Sequence, residues 1–166
     1  MENERERLYW AALTGNWMAI MDMANIQRIL TKRGETTLHV AVAANQEMFV
    51  RKLLNCIDDD KLADVNNVGN TALTYAAATG NVNIAKLLVD RNSGLLNRSC
   101  GVEPLIMAAY SGHIQMVRFL YPRQEVCNWP EDVQVDLFIT CVKSDFYGKH
   151  KKCFLLFLFL FLFGGS

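Results

Sequence analysis

One block occurs three times in this chain and fixes what the chain can fold into. Residues 69–88 read GNTALTYAAATGNVNIAKLL, residues 34–54 read GETTLHVAVAANQEMFVRKLL, and residues 101–120 read GVEPLIMAAYSGHIQMVRFL. With one extra residue allowed before Leu54, the columns agree. A leucine stands four residues after each opening glycine (Leu38, Leu73, Leu105), an alanine three later (Ala41, Ala76, Ala108), then Asn45, Gly80 or Gly112. Apolar pairs four apart follow: Phe49 and Leu53, Ile84 and Leu88, Met116 and Leu120. A weaker copy comes first, with Leu8, Ala11 and Gly15. The column alanines lie 30, 35 and 32 residues apart. A period of that size means stacked units, none of which can bury its apolar face alone.

Each column has a physical cause. Thr36 and Thr71 precede a helix, where a hydroxyl can accept an orphan backbone N–H. Pro104 suits the first helical position, where its missing N–H costs nothing. The alanines let two short helices approach closely. Gly15, Gly80 and Gly112 follow the first helix, where a left-handed residue ends it, and Asn45 is the next-best residue for that place. The second helix shows an i, i+4 apolar stripe. Helix pairs are expected at 6–14 and 17–24, 37–44 and 47–55, 72–79 and 82–90, and 104–111 and 114–121. Trp10, Val40, Tyr75 and Met107 share a column that reads as packing between units. Met18, Met21 and Met23 read as a soft core stripe of the first unit.

The pattern G-x-T-P-L-H-x-A-A-x-x-G-H resembles the ankyrin repeat, over residues 5–122. The phrases LYWAALTGNW, RILTKRGETTLHVA, NNVGNTALTYAAATGNVNIAKLLV and PLIMAAYSGH resemble one plant group. These are membrane-anchored ankyrin proteins of the accelerated-cell-death type, which carry several repeats and then a C-terminal transmembrane domain. The third unit departs from the pattern at Ala72 and Thr74, and the fourth at Glu103 and Ile106. The resemblance implies an all-α ankyrin-repeat solenoid of antiparallel helix pairs with short hairpin loops. It would hold about four repeats plus a partial fifth: a domain over 1–148, with units at 5–30, 31–65, 66–97, 98–130 and 131–148.

Residues 135–148, VDLFITCVKSDFYG, resemble the first helix of that fifth unit. The sequence then changes abruptly to KHKKCFLLFLFLFLFGGS. Phe and Leu codons are pyrimidine-rich, and Gly148-Lys149 is encodable across a splice donor. Residues 149–166 are therefore read as translated intron, and the chain as a truncated member of its group. The apolar run 153–163 covers roughly 16 Å as a helix at 1.5 Å per residue, against a hydrocarbon core about 30 Å thick. The tail is not expected to span a bilayer. The expected location is cytoplasmic, with membrane association only if the tail inserts.

Charge and motifs narrow the function. Seventeen basic and seventeen acidic side chains balance, so nothing marks a nucleic-acid binder. The N-terminus MENERERLYW is not a secretory signal. Five scattered cysteines without C-x-x-C read as reduced thiols. His39 and His113 lack partners at zinc spacing and read as structural. Asp58-Asp59-Asp60 lacks the alternation of a calcium loop and reads as a solvated loop, with Asp60 as a cap. No nucleophile–base set, phosphate loop or metalloprotease motif is visible, so no enzyme activity, cofactor or metal is expected. A protein–protein interaction scaffold is expected, its partner another protein held on the concave face of the array. Carried over column by column, the resemblance places that face on hairpin residues Lys32, Arg33, Glu35, Asn67, Val68, Asn70, Ser99, Cys100 and Val102. First-helix positions Ala43, Ala44, Ala78, Thr79, Tyr110 and Ser111 complete it, with Tyr110 the best anchor because it is aromatic. The alternative is a truncated form of a plant transmembrane signalling protein acting in defence or stress.

Overall fold

The computed structural model describes residues 4–97, 101–124 and 126–143. Helix α1 (Glu4–Thr14) is followed by a short 3-10 turn, Trp17–Ala19. Helices α2 (Thr37–Ala43) and α3 (Glu47–Leu54) form the next pair, and a single turn of helix, α4 (Asp59–Leu62), leads away from it. Helices α5 (Ala72–Thr79) and α6 (Val82–Arg91) form the third pair. Helices α7 (Pro104–Tyr110) and α8 (Ile114–Leu120) form the fourth, and α9 (Glu131–Lys143) follows. The turns within pairs are too short for anything but an antiparallel return. First helices pack in chain order, α1 on α2, α2 on α5, α5 on α7 and α7 on α9, and the second helices α3, α6 and α8 do the same. Among the described residues the β structure is one antiparallel bridge, Ile29 to Thr36. The chain is an all-α repeat solenoid, as the period required.

The repeated columns form the core. Leu38, Leu73 and Leu105 are at most 1% exposed, and Ala41, Ala76 and Ala108 are fully buried. Phe49, Leu53, Ile84, Leu88, Met116 and Leu120 close the gap between first and second helices. Each large side chain so buried stabilises the fold by about 1.5–3 kcal/mol relative to exposure. Leu137 of α9 is fully buried, so α9 packs as one more first helix.

The helix ends follow the expected chemistry, with two exceptions. Gly15, Gly80 and Gly112 have φ of 73°, 73° and 76°, and Asn45 takes the same region at 62°. Pro104 stands at the start of α7. Thr36 forms a reciprocal capping box with His39. Thr71 does not cap: its backbone is extended, but its hydroxyl lies 3.5 Å from Thr74 Oγ1 and makes no cap bond. Asp60 is not a cap either. Asp58 holds the N-cap position of α4, and Asp59 takes Arg91 at 2.7 Å.

The first unit departs most from expectation. Residues 17–24 do not form a helix. A 3-10 turn at Trp17–Ala19 and a further turn closed by Met23 N–H on the Ile20 carbonyl take its place, and the Arg7 guanidinium takes the Ala19 carbonyl and, at 2.7 Å, the Asp22 carboxylate. Arg7 thus draws that carbonyl away from a continuing helix. The 30-residue first spacing also leaves too little chain for both a full second helix and the bridge at Ile29. The methionine stripe is therefore not a core stripe. Met18 and Met21 are 71% and 61% exposed, while Met23 packs partly against the core. Trp17 takes the core place instead, edge-on to Phe49 with ring centroids 5.3 Å apart, and Ile20 is fully buried beside it.

Candidate functional site

The candidate surface is the row of hairpin tips together with the outward sides of the first helices. At the first tip, Leu30 N–H donates to the Glu35 carbonyl at 2.7 Å, and Gly34 turns the chain with φ of 77°. Thr31 Oγ1 accepts from the Arg33 and Glu35 N–H groups and donates to the Glu35 carboxylate at 2.7 Å. At the second tip, Asn66 Oδ1 accepts from Val68 N–H and Asn70 N–H at 3.1 and 2.9 Å, an Asx turn.

Neighbouring tips are sewn together. Asn67 N–H donates to the Arg33 carbonyl at 2.9 Å, and its side-chain amide donates to the Lys32 carbonyl at 3.0 Å. Asn70 Oδ1 accepts from Val102 N–H at 3.1 Å, and a Cβ on Gly101 would lie 2.5 Å from that oxygen. His39 completes the seam. Its Nδ1 faces Thr36 N–H at 3.2 Å and Thr36 Oγ1 at 2.8 Å, and its other nitrogen meets the Asn70 carbonyl at 3.1 Å. A carbonyl only accepts, so the proton sits on Nε2 and Nδ1 accepts. Burial dominates in holding the His39 pKa below the ordinary imidazole value, against the Asn70 carbonyl and the Glu35 charge.

Tyr75 binds two units through a carboxylate. Its hydroxyl donates to Glu35 Oε1 at 2.6 Å and accepts from Asn66 Nδ2 at 3.0 Å. Burial, then the bond to Glu35 and its charge, push the phenol up to about 12. Burial would raise the Glu35 carboxyl, but the bonds from Tyr75 and Thr31 and the Arg33 charge together hold it below its ordinary value.

The expected surface residues thus separate by role. Asn67 and Asn70 spend their side chains on the seam, and Glu35 spends its carboxylate on Thr31 and Tyr75. Thr79, half-buried, donates to the Ala76 carbonyl at 3.2 Å. Ala44 and Ala78 are half-buried, and Ala43 is exposed. Lys32, Arg33, Val68, Val102, Tyr110 and Ser111 are turned to solvent, Tyr110 at 78% and Val68 at 67%. Ser99 and Cys100 lie outside the described residues.

Sequence reasoning missed Trp10 as a surface group. Its column is only partly a packing column: Val40 is buried and Tyr75 and Met107 are partly buried, but Trp10 is 51% exposed. The difference lies in the cover. Tyr75 is covered by Glu35 of the preceding hairpin, and among the described residues no hairpin precedes α1. Ile29, 60% exposed although it forms the bridge with Thr36, was missed as well. Among the described residues, no group of His, Cys, Asp or Glu is placed to hold a metal ion.

The family model for ankyrin repeats (3 copies) matches this chain over residues 8–97 and again over 38–136. A mouse protein described as "Protein fem-1 homolog A-like" is 29% identical over 115 residues, which is 68% of this chain and 16% of the relative. The chain therefore spans about one sixth of the length of that relative. A chain in the crystal structure of the yeast ribosomal protein Rps3 in complex with its chaperone Yar1 matches the fold with a TM-score of 0.62. The identity there is 21%, over 78% of this chain and 97% of that one. The repeated columns, the stacked pairs and the family match agree, and the chain belongs to the ankyrin-repeat family.

Proposed function

We propose that the chain is a non-enzymatic interaction scaffold that holds a partner protein on the face built from the hairpin tips and first helices. In stacked arrays that face is the extended concave one. One observation carries the reading. The hairpin backbones are stitched into a continuous row by Asn67, Asn70 and His39, while Lys32, Arg33, Val68, Val102 and Tyr110 project from that row and its helices into solvent. A rigid backbone with free side chains lets a partner bind at small ordering cost. The complex of Rps3 with its chaperone in the structural neighbour is in keeping with a protein partner.

The test is a selection of random peptides on the full chain, followed by binding measurements. Tyr110→Ala and Thr79→Arg should weaken the selected binders, whereas Lys52→Glu and Lys86→Glu, on the exposed sides of α3 and α6, should not. Binders insensitive to every substitution on the hairpin and first-helix face would refute it.

A finer reading places the chain in the plant membrane-anchored group and, as made here, in the cytoplasm. It rests on the four sequence phrases quoted above. Among the described residues, no helix is long and apolar enough to cross a membrane. Sequencing the transcript tests the group, because a coding exon completing a fifth repeat is expected. Alkaline carbonate should release the full chain from membranes, and retention would show an anchor.

A further inference from the structure

The first hairpin and α1 enclose an open cleft of about 530 Å³, lined by Arg5, Glu6, Tyr9, Trp10, Leu30 and Thr31. Its walls are fixed to each other, since Arg5 Nε–H donates to the Leu30 carbonyl at 2.7 Å. Trp10, 51% exposed, is one of its lining residues and is held edge-on to Tyr9 with ring centroids 5.8 Å apart. A half-exposed tryptophan in a concave site is the residue type that most often dominates binding energy.

The charges around the cleft are unequal. Glu4 is paired with Arg28 at 3.2 Å. Glu35, bonded by the neutral hydroxyls of Thr31 and Tyr75, keeps its charge beside Arg33. Glu6 is a second acidic group at the rim. Lys32 and Arg33, at the exposed tip just beyond Leu30 and Thr31, lend backbone atoms to Asn67 and Thr31, and among the described residues no carboxylate lies within ion-pair distance of either side chain. Arg5, Lys32 and Arg33 outnumber Glu6 and Glu35 by one, so the rim attracts negative charge beside an aromatic floor.

We propose that this cleft docks a short segment of a partner protein that sets an apolar side chain against Trp10 and acidic side chains against Lys32 and Arg33. The chain's own tail is the wrong occupant by charge, since Lys149, Lys151 and Lys152 precede its apolar run. A nucleic acid is disfavoured by Glu6 and Glu35 and by the small number of cations at the rim. The proposal deepens the scaffold reading and rests on it.

Labelled peptides with a Leu-Phe centre, flanked by glutamates or by lysines, would be titrated into the full chain by fluorescence anisotropy. The glutamate peptide should bind about tenfold more tightly at low salt, and the gap should close near 1 M salt, where screening is complete within about 3 Å. Trp10→Ala should weaken it by about tenfold or more, as loss of an aromatic anchor does. The Lys32→Glu, Arg33→Glu double variant should reverse the ranking. That pair sits on an exposed tip, so its effect stands even if Trp10→Ala disturbs the fold in a thermal melt. Absence of glutamate-peptide binding, equal affinity of the two peptides, an unchanged ranking in the double variant, or equally tight binding of a single-stranded oligonucleotide would each overturn the proposal. Selected peptides that respond to Tyr110→Ala but ignore Trp10 and the two cations would defeat this inference and leave the scaffold reading standing. Binders that respond to nothing on the face would defeat both.

Discussion

Gly80 offers a measurement with a built-in control. Its φ of 73° costs an L-residue about 1–2 kcal/mol. A Cβ there would also lie 2.6 Å from Cγ and Nδ1 of His113, whose Nε2–H donates to the Ala78 carbonyl at 2.9 Å. Displacing that ring sacrifices a hydrogen bond worth about 0.5–1.5 kcal/mol. Gly80→Ala should therefore cost about 2–3 kcal/mol, and Gly80→Val more, because a β-branched side chain adds crowding. Gly112 has the same backbone, with φ of 76°, and no described atom within 4 Å of its would-be Cβ. Gly112→Ala should cost only the backbone share, about 1–2 kcal/mol. In the His113→Ala background the cost of Gly80→Ala should fall to the Gly112→Ala value, a coupling of about 1 kcal/mol. Urea melts read these numbers directly, and in thermal melts 1 kcal/mol is about 2–4 °C for a chain of this size. Equal costs at the two glycines, or a Gly80→Ala cost unmoved by His113→Ala, would refute the packing role assigned to the histidine.

Other outcomes follow from the same geometry. Leu73→Ala, at a fully buried position between helix pairs, should cost about 2–5 kcal/mol in urea melts. Tyr75→Phe should cost about 1 kcal/mol, since the hydroxyl joins Glu35 and Asn66 at a partly solvated site. The pH dependence has a definite sign. The folded His39 pKa lies below 6.5, so the unfolded chain binds the extra proton first, and stability falls as pH drops below about 6.5. Glu35, also lowered, adds stability above its ordinary value of 4.5 that is lost further into acid. The urea midpoint should fall between about pH 7 and pH 5, and His39→Asn should flatten that slope. A slope unchanged in His39→Asn would assign it to other groups.

The sequence was legible where a residue type has one structural use. Leucine, alanine and a left-handed residue at fixed spacing admit only a stacked helix pair, and three pairs appeared where those columns stood. The first unit was harder to read. Its apolar residues fit a second helix, but the Arg7 contact to Ala19 is tertiary and leaves no trace in the local pattern. The candidate face was legible as a set of columns, not as roles. Asn67 and Asn70 look like free polar tips in the sequence, and only the backbone positions of the neighbouring hairpins reveal that their amides are occupied. Trp10 shows the converse, a side chain whose column predicts cover that no described hairpin supplies.

The hydrogen bonds that join the helix pairs reach one repeat along the chain, 31 residues from His39 to Asn70 and 37 from Arg91 to Leu54. Load applied at the two ends of the described array passes through these seams in series, each joining neighbouring units. Under tension such a molecule yields at its weakest seam and lengthens stepwise, one helix pair at a time. A partner bridging two or more hairpin tips would act as a splint across those seams. Bound and free chains would then differ in the force at which the first step occurs, even where their folds are the same.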